Sequence, residues 1–475
     1  MQARRLGKRA STGVAGLGAV LGLVLGLSSS AEAAIDVGAV ICSDYIASAT
    51  VGRLALAAPW SFTPDLQPVY KDAIGVWHEE RVYIVNRAGA DNVQVLDPVQ
   101  DFATVCQFSL GPDRGLKHIA FVGDGTAYVS CYDTPELLHI DPVSGAILHV
   151  ISTALFADAD GRPETSWLVV GGQRLFVVCE RLDRNNWYAP MGDSYLLALD
   201  LVTRAWIDCN PSQPGVQGIL LSASNPYCEP VREGDRLLIG CAGNYTVADG
   251  GVDVVDLGSL RSLGLEVTEA QLGGDVVDLA AGAGGRRHAV VSSATFATSL
   301  KAYTPGGSVS LLHQSNGYHH ADIAYDGGFQ VFVADRRTGQ TGIRVFDAVS
   351  GAQLTAAPVA TGLPPAFIVL PPPAPVSAPD LVPATLALAA PYPNPANPRA
   401  RIAFSAPPGS VVELRVVDLR GRLVRRAQVT AAAGGHGTWE FDGLDAAGRP
   451  VASGVLRVVA TGGGGYAARS FALVR

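Results

Sequence analysis

The chain has 475 residues, 48% of them hydrophobic and only 16% charged, with 54 Gly and 30 Pro. So many turn formers and so few charges exclude a helical bundle and point to an all-β chain of many short strands. A formal net charge of −8 argues against nucleic acid as a partner, and the length implies a large repeat array with a smaller module.

Residues 1–33 read as a cleaved signal peptide. Arg4, Arg5, Lys8 and Arg9 form a basic start, Val14 to Leu27 an apolar run, and Ala31-Glu32-Ala33 a small-x-small cleavage site. The run is about 14 residues, too short to span a bilayer, and no later segment reads as transmembrane. The mature chain is expected to be secreted, extracellular or on the outer cell surface, with the periplasm as the alternative. Export permits disulfides, and seven cysteines leave at least one unpaired.

From Gly38 to Leu370 one strand ending recurs: GAVIC (38–42), RVYIVN (81–86), TAYVSC (126–131), RLFVVC (174–179), RLLIGC (236–241), HAVVSS (288–293) and QVFVAD (330–335). An apolar strand precedes each full copy. A third strand ending in a turn follows several, as in VQVLDP (93–98), LLHIDP (137–142), LLALDL (196–201), VDVVDL (252–257) and IRVFDA (343–348). Four short antiparallel strands per unit of roughly 40–50 residues describe a propeller blade. The segments YIVNRAGADNVQVLDP and AFVGDGTAYVSCYDTPELLHIDPVSGAILHVI resemble YVTN-type propeller repeats of the YncE-like group in the lactonase-like superfamily. Residues 38–70 supply three outer strands and Thr361 to Leu370 a lone innermost one. The expectation is a seven-bladed β-propeller over residues 34–370, its closing blade shared by the two ends.

Residues 371–390 form a Pro/Ala-rich linker. After them ARIAFSA (400–406), VVELRVVDL (411–419), HGTWEFDG (436–443) and SGVLRVVAT (453–461) read as short strands of a β-sandwich. The order PYPNPANP, VVDLRGRLVR, WEFDGLDAAGRPVASGV and RSFALVR resembles the Ig-like domain of the flagellar hook-capping protein FlgD and, in pattern, type IX secretion sorting domains. The resemblance implies a sorting or anchoring role for residues 391–475. Ala396, Leu456 and Val458 stand where that pattern has aromatics. Eleven Arg against five acidic residues make this part basic, and the rest of the mature chain is correspondingly acidic.

Aligning the repeats puts polar residues at the start of innermost strands. Asp72, His118, Ser166, Asp278, His320 and Asp322 are the candidate ligand-binding set at the mouth of a central channel, with Cys228 in the same row and His319 adjacent. A longer loop supplies a second candidate surface in Arg181, Asp183, Arg184, Trp187 and Tyr188, suited to sugar or peptide contacts, or to Arg–Asp pairs tying blades together. Asn244, Tyr245 and Asp249 occupy the same place in the next blade. Asp158-Ala159-Asp160-Gly161 has half the pattern of a calcium loop and lacks the later ligands. No nucleophile elbow or tight metal motif occurs, so no catalytic residue, metal ligand or cofactor is assigned; a metal at the channel mouth is the open variant. Cys228 and Cys241 face each other if their hairpin keeps one register about Gly234-Asp235, and are expected to form a disulfide.

Three functions remain, one of them a structural component of a surface layer whose Ig-like domain joins neighbours; the other two concern the propeller. One is a monomeric surface binding or scaffold protein whose propeller recognises a cell-surface glycan or protein partner. The other is a secreted or periplasmic lactonase-like hydrolase acting at the channel mouth.

Overall fold

The computed structural model describes residues 36–372, 386–407, 409–432, 436–462 and 465–475. The expected signal peptide and residues 373–385 of the expected linker lie outside the described residues. The chain divides into two compact units, residues 1–372 and 373–475.

Seven four-stranded antiparallel sheets and a two-stranded one (Leu182–Asp183 with Ala189–Pro190) make up the described first unit, an arrangement consistent with a β-propeller. The first strand of each four-stranded sheet, numbered in chain order, is β1 (Ala73–His78), β2 (Leu116–Phe121), β3 (Thr165–Gly171), β4 (Val231–Glu233), β5 (Asp275–Ala281), β6 (His320–Tyr325) and β7 (Pro365–Val369). Apart from β3 and β4, successive first strands pack side by side, and β7 returns to β1. Between β3 and β4 the link is Trp167, whose Nε1 donates to the Tyr227 carbonyl at 3.1 Å. The other three strands of the β7 sheet are Val37–Ser43, Ala49–Ala55 and Phe62–Pro68, and Val40 sits opposite Ile368. The two ends of the unit therefore share one sheet, which hides an edge each would otherwise expose.

The recurring strand endings are second strands. In Arg81–Asn86, Arg174–Cys179 and Gln330–Asp335 every residue after the first is buried. Sheets stacked face to face cover both sides of such a strand, so it reads as a continuous apolar run. Outer strands such as Ala103–Ser109 are largely exposed. The third strand ends in a repeated turn: Asp141, Asp200, Asp256 and Asp347 each accept the hydroxyl of the Ser or Thr three residues on. Main-chain N–H bonds at Asp200 and Asp347, and the hydroxyl bonds at Asp141 and Asp256, are the largest causes that hold these four half-buried carboxylates below their ordinary range.

The first strands are irregular. Their ladders slip between Leu116 and Ile119, Thr165 and Leu168, Val276 and Asp278, and His320 and Asp322. Each slip is a bulge, which turns the following side chain to the other face.

A slip of this kind removes the expected disulfide. Glu233 opposes Arg236 and Val231 opposes Leu238, the register expected from the turn. Beyond Val231 extra residues intervene, and Cys241 comes opposite Pro226 instead of Cys228. Both thiols are free and buried. Cys42, Cys131 and Cys179 are also free and buried at one repeat position.

The described second unit has a three-stranded and a four-stranded antiparallel sheet around one core that includes Ile402, Phe404, Leu414, Phe441 and Phe471. Ala396, Leu456 and Val458 are buried in that core, so the smaller side chains still face inward. Gly421 (φ 78°) and Gly448 (φ 74°) close turns capped by Asp418 and Asp445, which accept the main-chain N–H of Arg422 and Arg449.

Alkylation of denatured protein without reductant is expected to add seven groups, one per cysteine. An intact mass showing two fewer would restore the Cys228–Cys241 bridge.

Candidate functional site

A bulge inside a first strand leaves a main-chain N–H without its ladder partner, and a buried donor has to be satisfied. Here the acceptor comes from the preceding sheet. His118 Nδ1 on β2 accepts Leu168 N–H of β3 at 3.3 Å. Asp278 Oδ2 on β5 accepts Ile323 N–H of β6 at 2.8 Å, and Asp322 Oδ2 on β6 accepts Ile368 N–H of β7 at 2.7 Å. Three of the residues expected at a ligand site thus latch neighbouring sheets together.

The two aspartate latches border a cavity of about 780 Å³ lined by residues of first strands including β1, β5, β6 and β7. Asp278 and Asp322 line it, and so does Glu229 from the extra residues before β4. Asp278 and Asp322 stand on adjacent first strands of that lining. Burial pushes Asp278 up to about 7 and raises Asp322. Glu229 is half-exposed, but to the lumen, with protein on every side; burial and then Asp278 push it up to about 7. Its Oε1 lies 3.9 Å from His118 Nε2, too far for a hydrogen bond. Burial, Arg87 and Lys117 lower His118 to about 3, keeping it neutral.

The cavity is also lined by aromatic residues: Tyr45, Tyr132, Trp187, Tyr188, Tyr227 and Tyr245. Lys117 stands over the rings of Tyr132 and Trp167, with Nζ 5.0 and 6.0 Å from their centroids. Burial and then Arg87 bring its ammonium down to about 8. Arg87 pairs with Asp72, and Glu180 accepts the Tyr132 hydroxyl at 2.9 Å.

The expected loop residues divide in two. Arg184 bonds Glu164 at 2.9 Å, the Tyr132 carbonyl at 2.6 Å and the Asp133 carboxylate, tying its loop to the neighbouring sheet. Burial raises Glu164 to about 7 in spite of that guanidinium, because desolvation outweighs the pair. Arg181 donates to the Asp193 carbonyl and lies over Tyr195, and Asp183 accepts Asn185 N–H. Trp187 and Tyr188 line the cavity, 90% and 45% exposed, with left-handed φ of 56° and 57°. Two adjacent non-glycine residues in that region are strained, and the surrounding loop has to hold them there.

Three expected members of the channel set are elsewhere. Asp72 holds Arg87. Ser166 is fully buried, and its carbonyl accepts the Ser130 hydroxyl. His320 is turned out of the channel: the bulge at Ala321 puts 320 and 322 on opposite faces, so Asp322 enters the lumen and His320 does not. His320 Nε2 instead meets His313 Nδ1 at 2.8 Å. With Asp335 these two histidines form the one group of three potential metal donors found close together among the described residues. Asp335 is already committed to Arg344 Nε at 2.7 Å and Arg337 N–H at 2.9 Å, and a guanidinium there opposes a cation. Asp158 closes a tight turn by accepting Asp160 N–H.

Sequence reasoning missed Tyr45, Arg87, Lys117, Tyr132, Glu180, Tyr227 and Glu229. For Arg87, Tyr132 and Glu180 a signal existed, since each directly follows a recurring strand ending.

No protein-family description matches the chain, and no curated protein does. Among solved structures it is similar to PorZ, a surface component of the type-IX secretion system of Porphyromonas gingivalis: 13% identity, TM-score 0.39, covering 90% of this chain and 56% of that one. The chain thus spans little more than half of that protein. A functionally unknown protein from Desulfotomaculum acetoxidans is 9% identical, with TM-score 0.45 and coverage of 70% and 99%. AztD from Citrobacter koseri is 11% identical, with TM-score 0.41 and coverage of 70% and 97%.

The raised carboxylates set a sign for pH dependence. Asp278 and Glu229 hold their protons up to about 7 in the folded chain and only to about 4 when unfolded. Their stabilisation is complete below about pH 4 and is lost as pH rises through about 7. Between pH 5 and pH 8 this lowers the melting temperature, and Asp278→Asn is expected to narrow the drop. An unchanged or wider drop would contradict the assignment.

Proposed function

We propose that the chain is an exported binding protein whose first unit is a seven-bladed β-propeller, with its ligand site at the aromatic end of the central channel. The observation that carries the reading is the cavity of about 780 Å³ with two exposed aromatics, Trp187 and Tyr188, held on its lining in strained backbone. A volume of this size suits a small ligand, and exposed aromatics beside fixed polar groups suit recognition. The repeats support the YVTN type and YncE-like group, and the motif order after Pro391 supports a FlgD-type Ig-like domain for sorting or surface attachment. Among the described residues no helix is long and apolar enough to cross a membrane.

A hydrolytic role is the second reading, favoured by the neighbouring carboxylates Asp278 and Asp322 on the cavity lining. Both carboxylates also hold main-chain donors, which favours the binding role.

The test uses native mass spectrometry of the mature chain after incubation with an extract of the producing culture. A retained small molecule is expected, lost from Trp187→Ala/Tyr188→Ala and kept by Tyr466→Ala in the second unit. Retention that ignores the Trp187 and Tyr188 changes would overturn the assignment.

A further inference from the structure

The lumen below the aromatic residues has an unusual set of hydrogen-bonding groups. Because His118 Nδ1 accepts Leu168 N–H, the proton of the neutral ring sits on Nε2, which is therefore a donor. His118 is 5% exposed, and this N–H has no hydrogen-bond partner among the described residues. Glu229 Oε1 lies 3.9 Å from it, on the cavity lining, and its carboxylate also has no hydrogen-bond partner there. A donor and an acceptor thus stand together without bonding each other, and a hydroxyl seated beside both can take the N–H and give its own proton to the carboxylate. Asp278 and Asp322 lie on the same cavity and offer further carboxyl oxygens to a hydroxyl.

Other ligand classes fit less well. A metal ion needs its donors gathered about one point, and Glu229, Asp278 and Asp322 do not form such a group. An organic cation would meet two cations already on the lining, Lys117 over Tyr132 and Trp167, and Arg87. An anion would meet Glu180, Glu229, Asp278 and Asp322 on the lining. A neutral molecule rich in hydroxyls, with a flat face for aromatic rings, meets none of these objections.

We propose that this cavity takes a neutral saccharide, with one hydroxyl held by Glu229 beside His118 Nε2, others by Asp278 and Asp322, and a sugar face against Trp187 or Tyr188. The inference rests on the channel-end reading above and names its ligand class. Glu229 is the specificity-determining residue, since it makes no hydrogen bond that the fold needs.

The test applies the mature chain to an array of neutral hexose and N-acetylhexosamine oligosaccharides, then titrates the best-retained one by calorimetry. Glu229→Ala is expected to weaken binding about tenfold or more, and Trp187→Ala about fivefold. Glu229→Gln, which preserves shape, serves if the alanine variant fails to melt like wild type, and should weaken binding less. Choline and spermidine should not compete. Binding indifferent to Glu229, or displaced by either cation, would overturn the proposal. So would an array that retains nothing; if the culture-extract ligand is then still lost from the Trp187/Tyr188 variant, the channel-end reading survives and the saccharide does not.

Discussion

A main-chain N–H facing the inside of a protein must find an acceptor, and in this chain the bulged first strands create such donors around a channel. They are met by side chains of the sheet before: His118 for Leu168, Asp278 for Ile323, Asp322 for Ile368. Each bond joins two sheets, so the contacts that order the ring also fix what faces its lumen. The His118 tautomer follows from the same bond, and the crowding of Asp278 against Asp322 follows from their places on adjacent strands.

The carboxylates consequently fall into two populations with opposite behaviour. Those in the outer turns, such as Asp141 and Asp200, are half-buried and bonded to hydroxyls and main-chain N–H groups, which favours the ionised form. Those in the lumen are shielded from bulk solvent and face one another, which favours the protonated form. Charge at the aromatic end is mostly neutralised: Arg87 by Asp72, Arg184 by Glu164 and Asp133. What is left presented there is a set of aromatic rings, with Trp187 and Tyr188 carried on a loop that Arg184 anchors. The loop's charged residues serve the scaffold and its aromatics the cavity.

The repetition of strands was legible because stacked sheets bury both faces of each second strand, which turns RVYIVN and RLFVVC into recognisable apolar runs. The shared sheet was legible too, since residues 38–70 lack an inner strand and the segment at Pro365 lacks outer ones. Bulges were not. One extra residue at Ala321 decides that Asp322 faces the lumen and His320 does not, and no side-chain pattern announces it. The same blindness produced the Cys228–Cys241 pairing, which assumed a constant register through residues 228–231. Glu229 went unnoticed for a related reason: it stands in the irregular insertion before Val231, outside any strand period. Tyr132 and Glu180 could have been found, because their position repeats with the strand endings.

The central claim, that side chains of one first strand satisfy main-chain donors of the next, is tested most directly at His118. Nitrogen-15 NMR of histidine-labelled protein, with His118→Gln for assignment, reads both the tautomer and the titration of that ring. The account predicts a neutral ring protonated at Nε2 that stays neutral from pH 8 down to pH 5, in line with a group lowered to about 3. A ring protonated at Nδ1, or one titrating near its ordinary value of about 6.5, would contradict it.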